Sequence, residues 1–317
     1  MGPQIMLMRF FFLFFILLAS GCTKQTVILS SVKSQQNRFF PAFNQVKVEG
    51  NMNVNLRTGY SKPQVILRGD PADLLQVKTE VRNGALLVIL GKGYPRCGSV
   101  SVEIRGHYLN TFSYQGSGEV KGANLRSGLL DLSIDNSGRT TLGGNIVLRR
   151  LTVSGGGYTQ ISGINSQYLQ LSITGKSKVQ LAGIINISKL DLDEGVWLGM
   201  YWVKSKVLTV HGKGRAFMQL AGIVDRLEVE LWGNAHFNGR YLRANRAFVR
   251  THDRAVADIA AVRRQHTLAT GASDIYFYNL PTLRTDFMAY DGSVLDMREW
   301  DKYAMRDYDR YNKILSP

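Results

Sequence analysis

Between Leu109 and Phe277, apolar or small side chains alternate with polar ones, and the alternation restarts about every 19 to 20 residues. Turns fall at Gly116, Asn136, Gly155, Gly175, Gly195, Gly214, Gly233, Asp253 and Gly271. Two places after each turn stand Gly118, Gly138, Gly157, Ser177, Trp197, Ala216, Ala235, Ala255 and Ser273, all but Trp197 being Gly, Ala or Ser. Two places further stand Val120, Thr140, Thr159, Val179, Gly199, Met218, Phe237, Ala257 and Ile275. Inside each unit the period is two, the mark of a strand with one buried and one wetted face. From Leu169 to Gly183, for example, Gln170, Ser172, Thr174, Lys176, Lys178 and Gln180 hold the wetted places.

A short fixed period means stacked units that bury their apolar faces only against each other. Helical repeats do not fit a period of two, and the Leu/Asn signature of leucine-rich repeats is absent. The pattern therefore predicts an all-β fold, a right-handed parallel β-helix of about nine regular coils. The fifth coil breaks phase. Leu190 and Leu192 sit one place out, Trp197, Tyr201 and Trp202 follow, and a bulge near Asp193 is expected to absorb the slip.

Residues 41–106 alternate as well but lack the glycine register, so they are expected to begin and cap the solenoid. Asn83-Gly84 marks a hairpin and Asp70-Pro71 a turn. Residues 107–281 hold the regular coils. Residues 282–317 change composition: Met297, Trp300, Ala304, Tyr308, Tyr311 and Leu315 recur at three or four places, which predicts an amphipathic helical tail that caps the last coil or binds a partner.

At the other end, Arg9 precedes an unbroken apolar run, Phe10 to Leu18, too short to span a bilayer. Ala19-Ser20-Gly21 then lead to Cys22. This stretch resembles a bacterial lipoprotein signal, which implies a signal peptide over residues 1–21 and lipidation of Cys22. An ordinary secretory peptide is the alternative. Thr23 after the cysteine resembles lipoproteins sent to the outer membrane of Gram-negative bacteria. The polar residues 22–40 are then a flexible tether.

Val46-Lys-Val-Glu-Gly50, Leu67-Arg-Gly-Asp-Pro-Ala-Asp-Leu-Leu75 and Asn83-Gly-Ala-Leu-Leu-Val-Ile-Leu90 resemble the start of the bacterial head GIN domain, a family conjectured to form adhesin heads. Tyr114-Gln-Gly-Ser-Gly-Glu-Val-Lys-Gly122 is similar to its recurring Gly-Ser-Gly unit, and Gly271 to Asn279 to its final coil. The resemblance covers residues 41–281. It implies a β-helical fold and an envelope location, and it brings no catalytic residues with it.

The formal net charge is +15. Removing the signal leaves 38 − 24 = +14, and residues 282–317 contribute 6 − 7 = −1, so the excess lies on the solenoid. A basic rod in an envelope attracts acidic glycans, lipopolysaccharide phosphates or anionic headgroups in a salt-dependent way. No nucleic-acid motif appears, and nucleic acid is not an expected partner. If Cys22 carries lipid, Cys97 has no partner and is expected to be a buried, inert thiol.

Because β-helices also host polysaccharide lyases and hydrolases, enzymatic chemistry needs testing. It would require convergent carboxylates, one to donate a proton and one to activate water. Along the outward columns that follow the small residues, acids stack on adjacent coils only at Asp258 and Asp274, in different columns. Asp191, Asp193 and Glu194 cluster in the disturbed coil as a solvated turn, a cation site or a catalytic group. The five histidines lack zinc spacing, and Gly175-Lys-Ser lacks the context of a phosphate loop. No metal or cofactor is expected.

The sequence therefore favours a non-enzymatic, lipid-anchored envelope protein that binds or adheres through its lateral surface. Candidate contacts are Lys176, Lys178, Arg139, Arg215 and Arg254 for anions, and Trp197, Tyr201, Trp202 and Trp232 for sugars or apolar groups. A β-helical carbohydrate-active enzyme and an envelope scaffold that binds another envelope protein are the alternatives.

Overall fold

The protein was analysed as a computed structural model that describes residues 33–193, 195–278 and 284–297. Strands β1 to β7 are Ser34–Phe39, Gln45–Glu49, Asn53–Arg57, Gln64–Gly69, Val77–Arg82, Ala85–Leu90 and Ser101–Arg105. Strands β8 to β14 are Leu109–Gly116, Val120–Asn136, Arg139–Ser154, Tyr158–Ser166, Gln170–Ile173, Lys178–Ile185 and Lys189–Leu192. Strands β15 to β21 are Trp197–Gly212, Phe217–Leu231, His236–Thr251, Val256–Thr270, Asp274–Phe277, Arg284–Tyr290 and Ser293–Asp296. The only helix among the described residues is one turn, α1, Pro71–Leu74, capped by Asp70.

From β8 onward every ladder between named strands is parallel, each strand lying on the one a coil earlier, in a β-solenoid of about 9 turns. Each coil presents three faces in chain order. In the coil built by β16, Phe217–Leu220 form the first face, Gly222–Arg226 the second, and Leu227–Leu231 the third. Between the first and second faces the backbone takes positive φ at Asn124, Gly144, Gly163, Gly183, Trp202 and Gly222. Glycine suits that corner because the carbonyl of the coil beneath leaves no room. A Cβ on Gly222 would lie 2.1 Å from the Val203 oxygen.

The pairing corrects the fifth coil. Lys178 lies opposite Trp197, and Trp197 opposite Phe217. The inward column is therefore Gly118, Gly138, Gly157, Ser177, Val196, Ala216, Ala235, Ala255, Ser273 and Gly292. Val196, not Trp197, takes the small-residue place, and Leu198 and Met200 fill the core beside it. The register shifts fall between Ala182 and Ile185 and between Met200 and Val203, not near Asp193. The slip is absorbed at the corner, where Trp202 adopts a φ of 66° and, in the next coil, Gly222 holds a φ of 141°.

Residues 41–106 cap the solenoid by a change of direction. On the third face, β2 pairs in parallel with β8 and β6, and β5 closes β6 antiparallel. On the first face, β3 pairs in parallel with β9 and β7, β4 closes β7 antiparallel, and β1 closes β4. Antiparallel closure ends both ladders, so a further parallel coil finds no template. Asn83-Gly84 joins β5 to β6 with both residues at positive φ, as the hairpin signal requires.

Two expected segments are strands instead. Residues 34–39, expected to belong to a flexible tether, form β1. The strand is polar because it lies outermost and wets alternate side chains, and Arg38 donates to the Val77 carbonyl and the Thr79 hydroxyl. Residues 284–296, expected to open a helical tail, form β20 and β21, a further coil in register with β18 and β19. Met297 continues that ladder through its N–H to the Phe277 carbonyl. The rest of the predicted helical stripe, the signal peptide, Cys22 and Glu194 lie outside the described residues.

Candidate functional site

The first face explains its aromatic residues as a ladder. Trp197 stacks on Phe217 at 6.2 Å between centroids and 4° between planes, and Phe217 meets His236 edge-on at 5.1 Å. Arg139 covers the Tyr158 ring at 5.2 Å. Further along, the buried Asp258 accepts from His236 Nε2 at 2.8 Å and from the Tyr278 hydroxyl at 3.1 Å. Asp258 and Asp274 stand in different columns, as the sequence pattern expects.

The charged side chains converge on the third face, where strand pairing sets outward residues of successive coils side by side. One column runs Lys189, Thr209, Glu228, Phe248, His266, Asp286. A second runs Asp191, His211, Glu230, Arg250, Leu268, Met288. Apart from Lys189 and Asp191, these residues line a groove of about 460 Å³ over β15–β18 and β20. A second hollow of about 510 Å³ lies over β12, β14 and β15 and takes in Lys189, Asp191 and Trp232; His211 lines both.

Most polar groups in the groove are matched across coils. Asp191 accepts from His211 Nδ1 at 2.8 Å and pairs with Lys189 at 2.8 Å. Burial pushes the Asp191 carboxyl up, but the hydrogen bonds and charges of Lys189 and His211 outweigh it and leave the group below its usual range. Arg226 pairs with Glu228 at 2.6 Å and lies over the Phe248 ring at 4.9 Å. Phe248 stacks on His266, whose Nδ1 lies 2.9 Å from Asp286. His252 has its tautomer set by its neighbours. The Thr270 hydroxyl donates to the Thr251 carbonyl at 3.1 Å, so His252 Nδ1–H donates to Thr270 at 2.8 Å. His252 Nε2 then lies 3.5 Å from Glu230.

The nine candidate contact residues do not form one patch. Arg139, Lys178 and Trp197 stand on the first face. Lys176, Arg215 and Arg254 are exposed in turns between the third and first faces, two coils apart each time. Tyr201 and Trp202 sit at the first-to-second corner, and Trp232 on the third face. Trp232 is not an open platform, because Lys213 Nζ covers it at 5.6 Å and His252 stacks on it at 5.5 Å. Asp191 does not belong to a solvated turn; it sits on β14 at the second hollow.

Cys97 is exposed, contrary to the buried thiol expected, because it lies in the loop before β7, outside the coil core. Its sulfur is grouped with the carboxylates of Asp70 and Asp73. Both acids already have structural partners: Asp73 accepts from the Arg96 and Cys97 amides, and Asp70 from the Ala72 amide.

Sequence reasoning missed the third face because only the columns following the small residues were compared coil by coil. The signal was available at the same period: His211 follows Asp191 by 20 residues and precedes Glu230 by 19.

Residues 42–194 match the family described as putative auto-transporter adhesin, head GIN domain. No curated protein matches the chain. Among solved structures, a putative adhesin from Parabacteroides merdae is 13% identical, with 83% of this chain and 95% of that chain covered at a TM-score of 0.41. A putative adhesin from Parabacteroides distasonis is 12% identical, covering 84% and 98% at 0.44. A putative lipid binding protein from the same species is 12% identical, covering 83% and 96% at 0.38. The GIN segment takes in the cap and the coils through β14. The groove is built by coils that follow the matched segment, while Asp191, within it, lines the second hollow.

Proposed function

We propose that this chain is a lipid-anchored, non-enzymatic envelope protein that binds or adheres through the lateral surface of its solenoid. Cys22 carries the anchor, the signal over residues 1–21 is removed, and the coils wind right-handed, the sense that parallel crossovers take. The adhesin description of the GIN family supports this reading.

The observation that carries it is the state of Asp191. A glycosidic general acid must hold a proton at working pH, which requires a raised pKa. Lys189 and His211 instead hold this carboxylate ionised in the second hollow, and in the adjoining groove Glu228 and Asp286 face Arg226 and His266. Such a surface suits reversible recognition.

Protease and antibody accessibility on intact cells, beside cells with a permeabilised outer membrane, tests the location. Cleavage on intact cells is expected. Protection until permeabilisation would remove the adhesion reading and leave an inward-facing scaffold. The catalytic alternative has its own assay. Purified protein should release no reducing ends and no unsaturated products from acidic polysaccharides. Turnover that Asp191→Asn with Asp193→Asn abolishes would replace binding with catalysis.

A further inference from the structure

At the corner between the second and third faces, strand pairing sets Arg226 opposite Arg246, Arg246 opposite Arg264, and Arg264 opposite Arg284. The steps are 20, 18 and 20 residues in sequence and one coil each in space. Four arginines thus hold equivalent backbone places on four successive coils, about 4.8 Å apart. Like charges directly opposite one another on paired strands are unfavourable. Arg246 and Arg264 are exposed, and among the described residues no carboxylate pairs with either. Lys204, Lys206, Arg243 and Arg263 add exposed or half-buried cations next to this row. No structural duty offsets the repulsion at Arg246 and Arg264, so the row is expected to cost stability when empty.

We infer that this arginine row is a binding site for a linear acidic polysaccharide lying along the solenoid axis. Three features point to that chemistry. The row follows the coil register, and an extended chain of pyranoses advances by about one coil per sugar. A polymer with one carboxylate per sugar therefore carries its charge at the spacing of the row and can reach Arg246 and Arg264 through the planar contacts that guanidinium makes well. The row is fenced in the coil of β16: Asp225 precedes Arg226 and binds Asn245, while Glu228 follows and holds Arg226 itself. In that coil the two acids disfavour a broad phosphate surface. Finally, the row borders the groove, where the polar groups of Glu230 and Arg250 can meet sugar hydroxyls.

The inference deepens the binding reading by naming a ligand chemistry, and it rests on that reading. Its test is direct binding of the purified protein to polygalacturonate, with dextran, single-stranded oligothymidylate and anionic phospholipid vesicles as competitors. Affinity should fall steeply with salt, and dextran should not compete. Arg246→Gln with Arg264→Gln should weaken binding roughly tenfold or more, since each surface cation contributes about a kilocalorie to such attraction. The same variant should melt at an equal or higher temperature, because it relieves repulsion. Lys78→Gln with Lys92→Gln removes the same charge from exposed places on the cap and should change affinity far less.

No binding by the wild-type protein at low salt overturns the inference. So does an equal loss in both double variants, a lowered melting temperature in the first, or stronger competition by the oligonucleotide or vesicles. If cells displaying the protein adhere while the purified protein ignores polygalacturonate, the arginine row alone is refuted. If the purified protein binds but is shielded on intact cells, the ligand stands and surface display falls.

Discussion

Glu103 shows how far one side chain can organise the cap. It is buried on β7, yet Arg105, Arg68 and Arg57 reach it from three strands at 2.7, 3.1 and 3.3 Å. Burial pushes its carboxyl up, but the hydrogen bonds from Arg105 and Arg68 and the nearby arginine charges leave it below its usual 4.5. A depressed folded-state pKa gives stability that is complete above the unfolded value and lost as pH falls through the folded one. Chemical denaturation followed from pH 7 downward should show the cap weakening below about pH 4.5. Glu103→Gln should cost about 1–3 kcal/mol at pH 7, since it leaves three arginines without their acid, and should flatten that acid limb. An unchanged midpoint at pH 7 would mean that solvent already screens the cluster. Nothing in the sequence marks Glu103, because its alternation with Val102 and Ile104 puts it on a face that looks wet. Cys97 erred in the opposite sense: general burial statistics cannot see that it sits in a loop beyond the core.

The coil is the unit in which the sequence was most legible. Period and alternation give the parallel solenoid, the inward column and the hairpin at Asn83-Gly84. They place Trp197 wrongly, because a one-residue shortening can be absorbed at any corner and the pattern does not say which. The corner itself makes a sharp comparison. Gly222→Ala drives a Cβ to 2.1 Å from the Val203 oxygen and should cost about 2–4 kcal/mol by urea denaturation. Trp202 already holds positive φ in the coil before, so Trp202→Gly should relieve about 1 kcal/mol of backbone strain and lose a similar amount of packing. A loss for Trp202→Gly as large as that for Gly222→Ala would show that the tryptophan, not the turn, holds that coil together. The strands at both ends escaped notice for a shared reason. β1 and β20 lie at the limits of the ladder, where few side chains face a core and polar composition reads as loop or helix.

Across the whole molecule, each coil is held chiefly by its two neighbours, so stability should grade along the axis. β15 to β18 carry strands of 15 or 16 residues paired on both sides. Amide hydrogen exchange should therefore be slowest in residues 197–270 and faster in β20 and β21. Uniform protection would instead indicate a single cooperative unit. The candidate site spans at least five coils, which explains why no local motif announces it. Its members are neighbours only once the repeat is folded, and they become visible in the sequence when every column, not one, is stacked.

The unbroken register also bears on how such a chain changes over generations. Phe217 and His236 occupy equivalent places, so an in-frame loss of residues 217–235, 236 − 217 = 19 positions, would rejoin Ala216 to His236 in phase. Recombination between neighbouring segments of the gene could shorten or lengthen the rod by whole steps without disturbing its cap. An event in the coils of Arg226, Arg246 and Arg264 would also delete or add one rung of the arginine row. The length of the solenoid and the number of rungs would then be inherited together, as a single count.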